Sequence, residues 1–193
     1  MTLLLLGQSA VTLPRTAPPP GSPRTPRPTI SKEGRFVADF EFNISKGRSV
    51  ELYRRVRTGD PATSALVIVV LAAANIESDA ILKDKASLAD VLAGATDEAT
   101  NTGYARKVLA AADLNDVLPD LANDRTDIDV PDQTWLNVQA AGGAWSKVLV
   151  CYRPATGSPD TAIVPMTSHD FSITPDGSNV VLQIDPSGFY RAV

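Results

Sequence analysis

Between residues 35 and 44 (RFVADFEFNI) Phe36, Ala38, Phe40, Phe42 and Ile44 are set against Asp39, Glu41 and Asn43, close to the period of two of a half-buried strand. Residues 49–57 (SVELYRRVR) read the same way, with Val50, Leu52 and Val56 on one face and Glu51, Tyr53, Arg55 and Arg57 on the other. Both are expected to be antiparallel strands. Residues 65–71 are apolar throughout and rich in Val and Ile, which predicts a central strand covered on both faces. Ser87 followed by Asp90, the stripe Leu88, Val91, Leu92 and then Gly94 predict a two-turn helix with a Ser N-cap and a C′ glycine. A second helical turn is expected within 109–118, ended by Pro119.

Strand patterns return at 125–130, 135–138, 147–152, 162–166 and 171–174. Pro175-Asp176-Gly177 predicts a hairpin turn into 180–184, and Gly142-Gly143 a hairpin or bulge. Short strands at this spacing, with one or two short helices, predict a mainly β fold, an antiparallel β-sandwich or barrel.

The first 34 residues break the pattern. Residues 1–30 contain seven of the fifteen prolines and three arginines (Arg15, Arg24, Arg27) but no acid, so the remainder carries a net charge of −7. Proline fixes φ and removes the amide donor, so residues 14–29 (PRTAPPPGSPRTPRPT) can be neither helix nor central strand. As a polyproline-like arm at ~3.1 Å per residue they would span roughly 50 Å, a domain's width. The arm would carry Leu3, Leu4, Leu5 and Leu6 away from the body, to fill a partner's groove or extend a partner's sheet; a disordered tail is the alternative. The organisation expected is an arm over 1–34 and a β-rich body over 35–193, with a division into 35–100 and 101–193 left open.

The longest apolar run, 64–74, is too short for the ~20 residues of a membrane span. The leucine run lacks the basic n-region and the length of a signal sequence. One Cys and one His exclude an intrachain disulfide framework and any multi-Cys metal site.

His169 lies between Ser168 and Asp170, whose side chains point to the opposite strand face, so no triad forms there; Cys151 falls in a buried strand. Asp113, Asp116, Asp120, Asp124, Asp127, Asp129 and Asp132 form an acidic stretch without the spacing of a calcium loop. A solvated surface explains it more simply. Lys46, Arg48, Arg54, Arg55 and Arg57, with the arm arginines, form a basic set. In an acidic body without a nucleic-acid motif, this set suits an acidic protein surface, such as the Asp-rich stretch of a neighbouring copy, better than phosphate. Asp127 and Asp129 alternate onto one strand face without any feature marking an acid and a base. Trp135, Trp145 and Tyr104 are the aromatics available for stacking on a sugar. No enzyme activity and no cofactor are expected.

Ile44 to Tyr53 (ISKGRSVELY), Asn101 to Lys107 (NTGYARK), Asn123-Asp124-Arg125 with Gln133-Thr134-Trp135, Lys147 to Tyr152 (KVLVCY), His169-Asp170-Phe171 with Thr174 to Gly177 (TPDG), and Gly188 to Ala192 (GFYRA) together resemble a family of small tailed-bacteriophage virion proteins. The resemblance runs from about residue 44 to the C-terminus and carries over no catalytic residue. It implies a structural protein of the virion, assembled in the host cytoplasm. The expected role is an accessory head protein, a decoration or cement subunit, that binds and stabilises the capsid lattice. Its expected partners are the major capsid protein and further copies of itself, in a trimer or another symmetric oligomer. Leu3 to Leu6, Arg15, Arg24, Arg27, Arg54, Arg55 and Arg57 are the candidate contact residues, with neither membrane nor direct nucleic-acid binding expected. A tail, collar or fibre-base component, or a host-surface binding module, is the alternative.

Overall fold

The computed structural model describes residues 40–193. The arm with Leu3, Leu4, Leu5, Leu6, Arg15, Arg24 and Arg27, and the first half of the strand expected over 35–44, lie outside the described residues. The chain runs β1 (Phe40–Glu41), α1 (Ser49–Thr58), β2 (Ala65–Ala72), α2 (Asp79–Leu82), α3 (Leu88–Leu92), β3 (Lys107–Leu109), β4 (Pro119–Asp120), β5 (Arg125–Ile128), β6 (Gln133–Trp135), β7 (Trp145–Arg153), β8 (Val164–Ile173), β9 (Val180–Leu182) and β10 (Tyr190–Ala192). The fold is mainly β, as expected, and every strand pairing among the described residues is antiparallel. The central sheet has the order β1-β8-β7-β2-β3; two smaller sheets are β10-β5-β4 and β6-β9. Strands from both halves of the chain interleave in the central sheet.

All of β2 is buried, because the sheet has a core on each face. Leu66, Ile68 and Val70 point into one core with Leu52, Tyr53 and Val56 of α1, Ile128, Trp135, Trp145, Phe171 and Phe189. Val67, Val69 and Leu71 point the other way, onto Phe40, Phe42, Leu82, Leu88 and Val91. A strand feeding two cores needs apolar residues at every position, and the unbroken run 65–71 supplies them.

Residues 49–57, expected as a strand, are the helix α1. Its buried residues Ser49, Leu52, Tyr53 and Val56 recur at helical spacing, and this stripe prevails over the alternation of Val50, Leu52 and Val56. Gly59 ends the helix at φ 68°, with its N–H donating to Val56 O (3.1 Å) and that of Asp60 to Arg55 O (2.9 Å). This 5→2 and 6→1 pair caps the last carbonyls and requires a left-handed residue, which glycine adopts without a Cβ clash.

The helix expected after Ser87 is α3, capped by Ser87 Oγ accepting from Asp90 N–H (3.1 Å). Gly94 has no left-handed φ; the Glu77 carboxylate lies 2.6 Å from where a Cβ would be. The helical turn expected within 109–118 is a three-residue 3-10 turn, Ala111–Asp113. The strands expected at 162–166 and 171–174 are one strand, β8. Pro175-Asp176-Gly177 does not close a hairpin: β9, which follows, pairs with β6.

Candidate interaction surface

His169 is buried with Nε2 3.0 Å from Thr167 Oγ1, and burial, aided by the Lys147 charge, pushes its pKa down to about 4. Cys151 is fully buried in β7, where burial drives its thiol pKa upward. Trp135 and Trp145 are core residues: their rings meet edge to face at 5.4 Å, and Tyr104 sits 5.6 Å from Trp145. Buried indole faces are not open to a sugar, which corrects the expectation that these tryptophans are available for stacking.

The acidic stretch is largely bound within the chain. Asp113 accepts from Ala110 N–H, Asp116 pairs with Arg57 (2.9 Å), and Asp120 pairs with Arg125 (3.3 Å). Asp127 pairs with Arg125 (3.1 Å) and Arg191 (2.6 Å), and Asp132 accepts from Ile184 N–H. Asp129 accepts from Val130 N–H; its carboxyl is pushed up to about 6 by burial and by the nearby Asp132 and Asp185 charges. No group of His, Cys, Asp or Glu suited to a metal ion occurs among the described residues.

The helix brings Arg54, Arg55 and Arg57 to the surface, but two of them have partners in the same chain. Arg55 pairs with Glu51 (3.3 Å) and Arg57 with Asp116, so the basic set already meets the Asp-rich stretch of its own copy. Such exposed pairs contribute little stability, and a competing partner can displace them at small cost.

The sheet β10-β5-β4 adjoins this helix: Tyr53 of α1 donates its hydroxyl to the carbonyl of Asp129, just after β5 (2.7 Å). Its two faces follow from the register. Asp120 opposes Arg125 and Arg191 opposes Asp127, which makes one face an ion-pair ladder. On the other face Ile128 opposes Tyr190, and the next row outward is Pro119, Thr126 and Ala192. Ile128 is buried in the core and Tyr190 packs against it. The Pro119–Thr126–Ala192 row therefore continues the core-facing side of the sheet past the end of the core. Beside it lies a shallow cavity of about 310 Å³, lined also by Leu121, Asp124, Arg125 and Val193. Leu121 is 85% exposed and Leu118, which precedes β4, 76%. Singly exposed leucines of this kind are ordinary on a protein surface.

Sequence reasoning missed this surface, since nothing in Leu118-Pro119-Asp120-Leu121 distinguishes an exposed leucine from a core one. Among the described residues no helix is long and apolar enough to cross a membrane. Compared with known proteins, the chain matches no family model, no curated protein and no solved structure.

Proposed function

We propose that this protein is a structural component of a tailed-bacteriophage virion, an accessory head protein that binds the capsid lattice and stabilises it. The observation that carries the reading is the set of motifs between Ile44 and Ala192 that resembles a virion family, and the exposed Leu118 and Leu121 at the two ends of β4 offer a partner apolar contacts. Several residues of those motifs hold the fold together here. Asn101, Trp135 and Tyr152 are buried, and Tyr104 donates to Glu98 while accepting from Val70 N–H. The proline-rich composition of residues 14–29 fits such a role, since as polyproline they would span roughly 50 Å.

Deleting residues 1–30 tests the reading. Both cores lie within 40–193, so the truncated chain is expected to fold and to be lost from purified particles. Incorporation at full occupancy would overturn the anchoring role of the arm.

A further inference from the structure

We propose that copies of this chain associate head to tail through two faces of opposite charge, the outer face of α1 on one copy and the α2–α3 face of the next. The central sheet sets the two faces apart. Leu52, Tyr53 and Val56 of α1 pack on the side of β2 that carries Leu66, Ile68 and Val70. Leu82 of α2, with Leu88 and Val91 of α3, packs on the side that carries Val67, Val69 and Leu71. The exposed sides of these helices therefore face away from each other across the sheet.

The outer face of α1 is basic. At about 100° per residue, Arg48, Glu51, Arg54, Arg55 and Thr58 fall within an arc of roughly 120°, opposite the buried stripe of the helix. Glu51 neutralises Arg55. Among the described residues no acid pairs with Arg48, with Arg54 or with Lys46, all of them exposed, so with Asp60 beyond the last turn the face is still net positive.

The α2–α3 face is acidic. Asp84 and Asp90, both exposed, line a shallow cavity of about 430 Å³ with Lys85, Ala86, Ala93 and Gly94. Lys85 is held by Glu77 (3.1 Å), whereas Asp84 and Asp90 have neutral partners, the Asn43 amide and the Ser87 hydroxyl. Lys83, the other lysine of this face, lies over the Phe40 ring at 5.3 Å. Ile81 of α2, 50% exposed, adds an apolar contact.

Charge complementarity names the occupant. The unpaired cations of α1 are separated from the cavity of their own copy by the sheet and both cores, so a second copy has to supply them. The Asp-rich stretch is the competing acidic surface, but its pairs with Arg57, Arg125 and Arg191 are made within the chain. Donor and acceptor are different surfaces of one chain, so the contact is heterologous; it closes into a ring or continues as a row according to the rotation between copies.

Sedimentation velocity on the full-length chain at about 20 and about 200 mM salt tests this. One variant carries Arg48→Glu and Arg54→Glu, a second Asp84→Lys and Asp90→Lys, and a third all four, which restores the parent's net charge of −4. The positions are exposed, and the Ser87 cap is made to the backbone N–H of residue 90, so circular dichroism is expected to match the parent. The parent's association constant is expected to fall roughly tenfold or more between the two salt concentrations, as screening shortens. At low salt each double variant is expected to associate at least about tenfold more weakly than the parent, because like charges then meet. The fourfold variant, and an equal mixture of the two double variants, are expected to regain the parent's constant within about threefold, because reversed faces meet reversed faces. A parent that stays at 20.4 kDa at low salt, or whose association ignores salt, would overturn the proposal. So would a double variant that associates like the parent, or a mixture that regains nothing. None of these outcomes depends on whether the protein is found in particles, so failure here is distinguishable from failure of the virion reading.

Discussion

Asn101 is 2% exposed, and its side chain makes three hydrogen bonds that reach across the chain. Its Nδ2 donates to Gln139 O (2.9 Å) and Gly143 O (3.0 Å), and its Oδ1 accepts from Trp145 Nε1 (2.7 Å). Gly142 packs so closely on it that a Cβ there would lie 2.7 Å from the Asn101 amide nitrogen. Replacing Asn101 with Ala leaves the Trp145 N–H, 1% exposed among aromatic rings, without an acceptor or water, a loss of about 1–3 kcal/mol. The two carbonyls belong to exposed residues, and water can replace the amide there, so each lost bond costs about 0.5–1 kcal/mol. The sum is about 2–5 kcal/mol, a large part of the roughly 5–15 kcal/mol that holds a domain folded. Urea unfolding followed by tryptophan fluorescence measures it as a drop in midpoint at unchanged slope. In the background of Trp145→Phe, which removes the orphaned donor, Asn101→Ala is expected to cost about 1–2 kcal/mol less. A cost below about 1 kcal/mol in the parent background would refute the assignment of Asn101 as the clamp between these loops.

Two pH effects of opposite sign follow from buried groups. His169, held at about 4 against an ordinary 6.5, binds its proton more weakly folded than unfolded, so stability is lost as pH falls from about 6.5 to about 4, by roughly 3 kcal/mol. His169→Gln, which keeps a partner for Thr167, is expected to remove that slope in denaturant titrations across the window; an unchanged slope would sink the account. Asp129, raised to about 6 from 3.8, binds its proton more tightly folded, so its charge penalises the fold above about pH 6 and the penalty fades as pH falls towards 3.8. Asp129→Asn is expected to stabilise the protein by roughly 1–2 kcal/mol at pH 8, discounted for partial solvent screening, and by nothing below pH 3.8. A stabilisation that persists at low pH would point to packing in place of charge.

Much of the fold was legible where one physical demand acts on a segment. The run 65–71 is apolar at every position because β2 feeds two cores, and Ser87 with Asp90 marks a helix start by a local hydrogen bond. The misreading of 49–57 came from a segment whose apolar residues fit both periods. Tyr53 and Ser49 decide for the helix, and the arginines of its last turn followed by Gly59 were the available stop signal. The burial of Cys151 matched the strand pattern around it, whereas His169 fell between two expected strands that are one, β8. The distant partners of the acidic stretch were not legible, since Arg57 and Arg191 reach it from far along the chain. Nor was the candidate surface. Leu118 and Leu121 are exposed at the two ends of β4, the edge strand of its sheet, and an edge position leaves no mark in the local sequence.

The most direct test of the virion reading is the copy number of this chain in purified phage particles from cells that produce it, by quantitative mass spectrometry against the major capsid protein. A lattice-bound head protein is expected at hundreds of copies per particle. A few copies to a few dozen would contradict the head position and move the protein to a neck, tail or fibre site, and complete absence from particles would contradict the virion role itself.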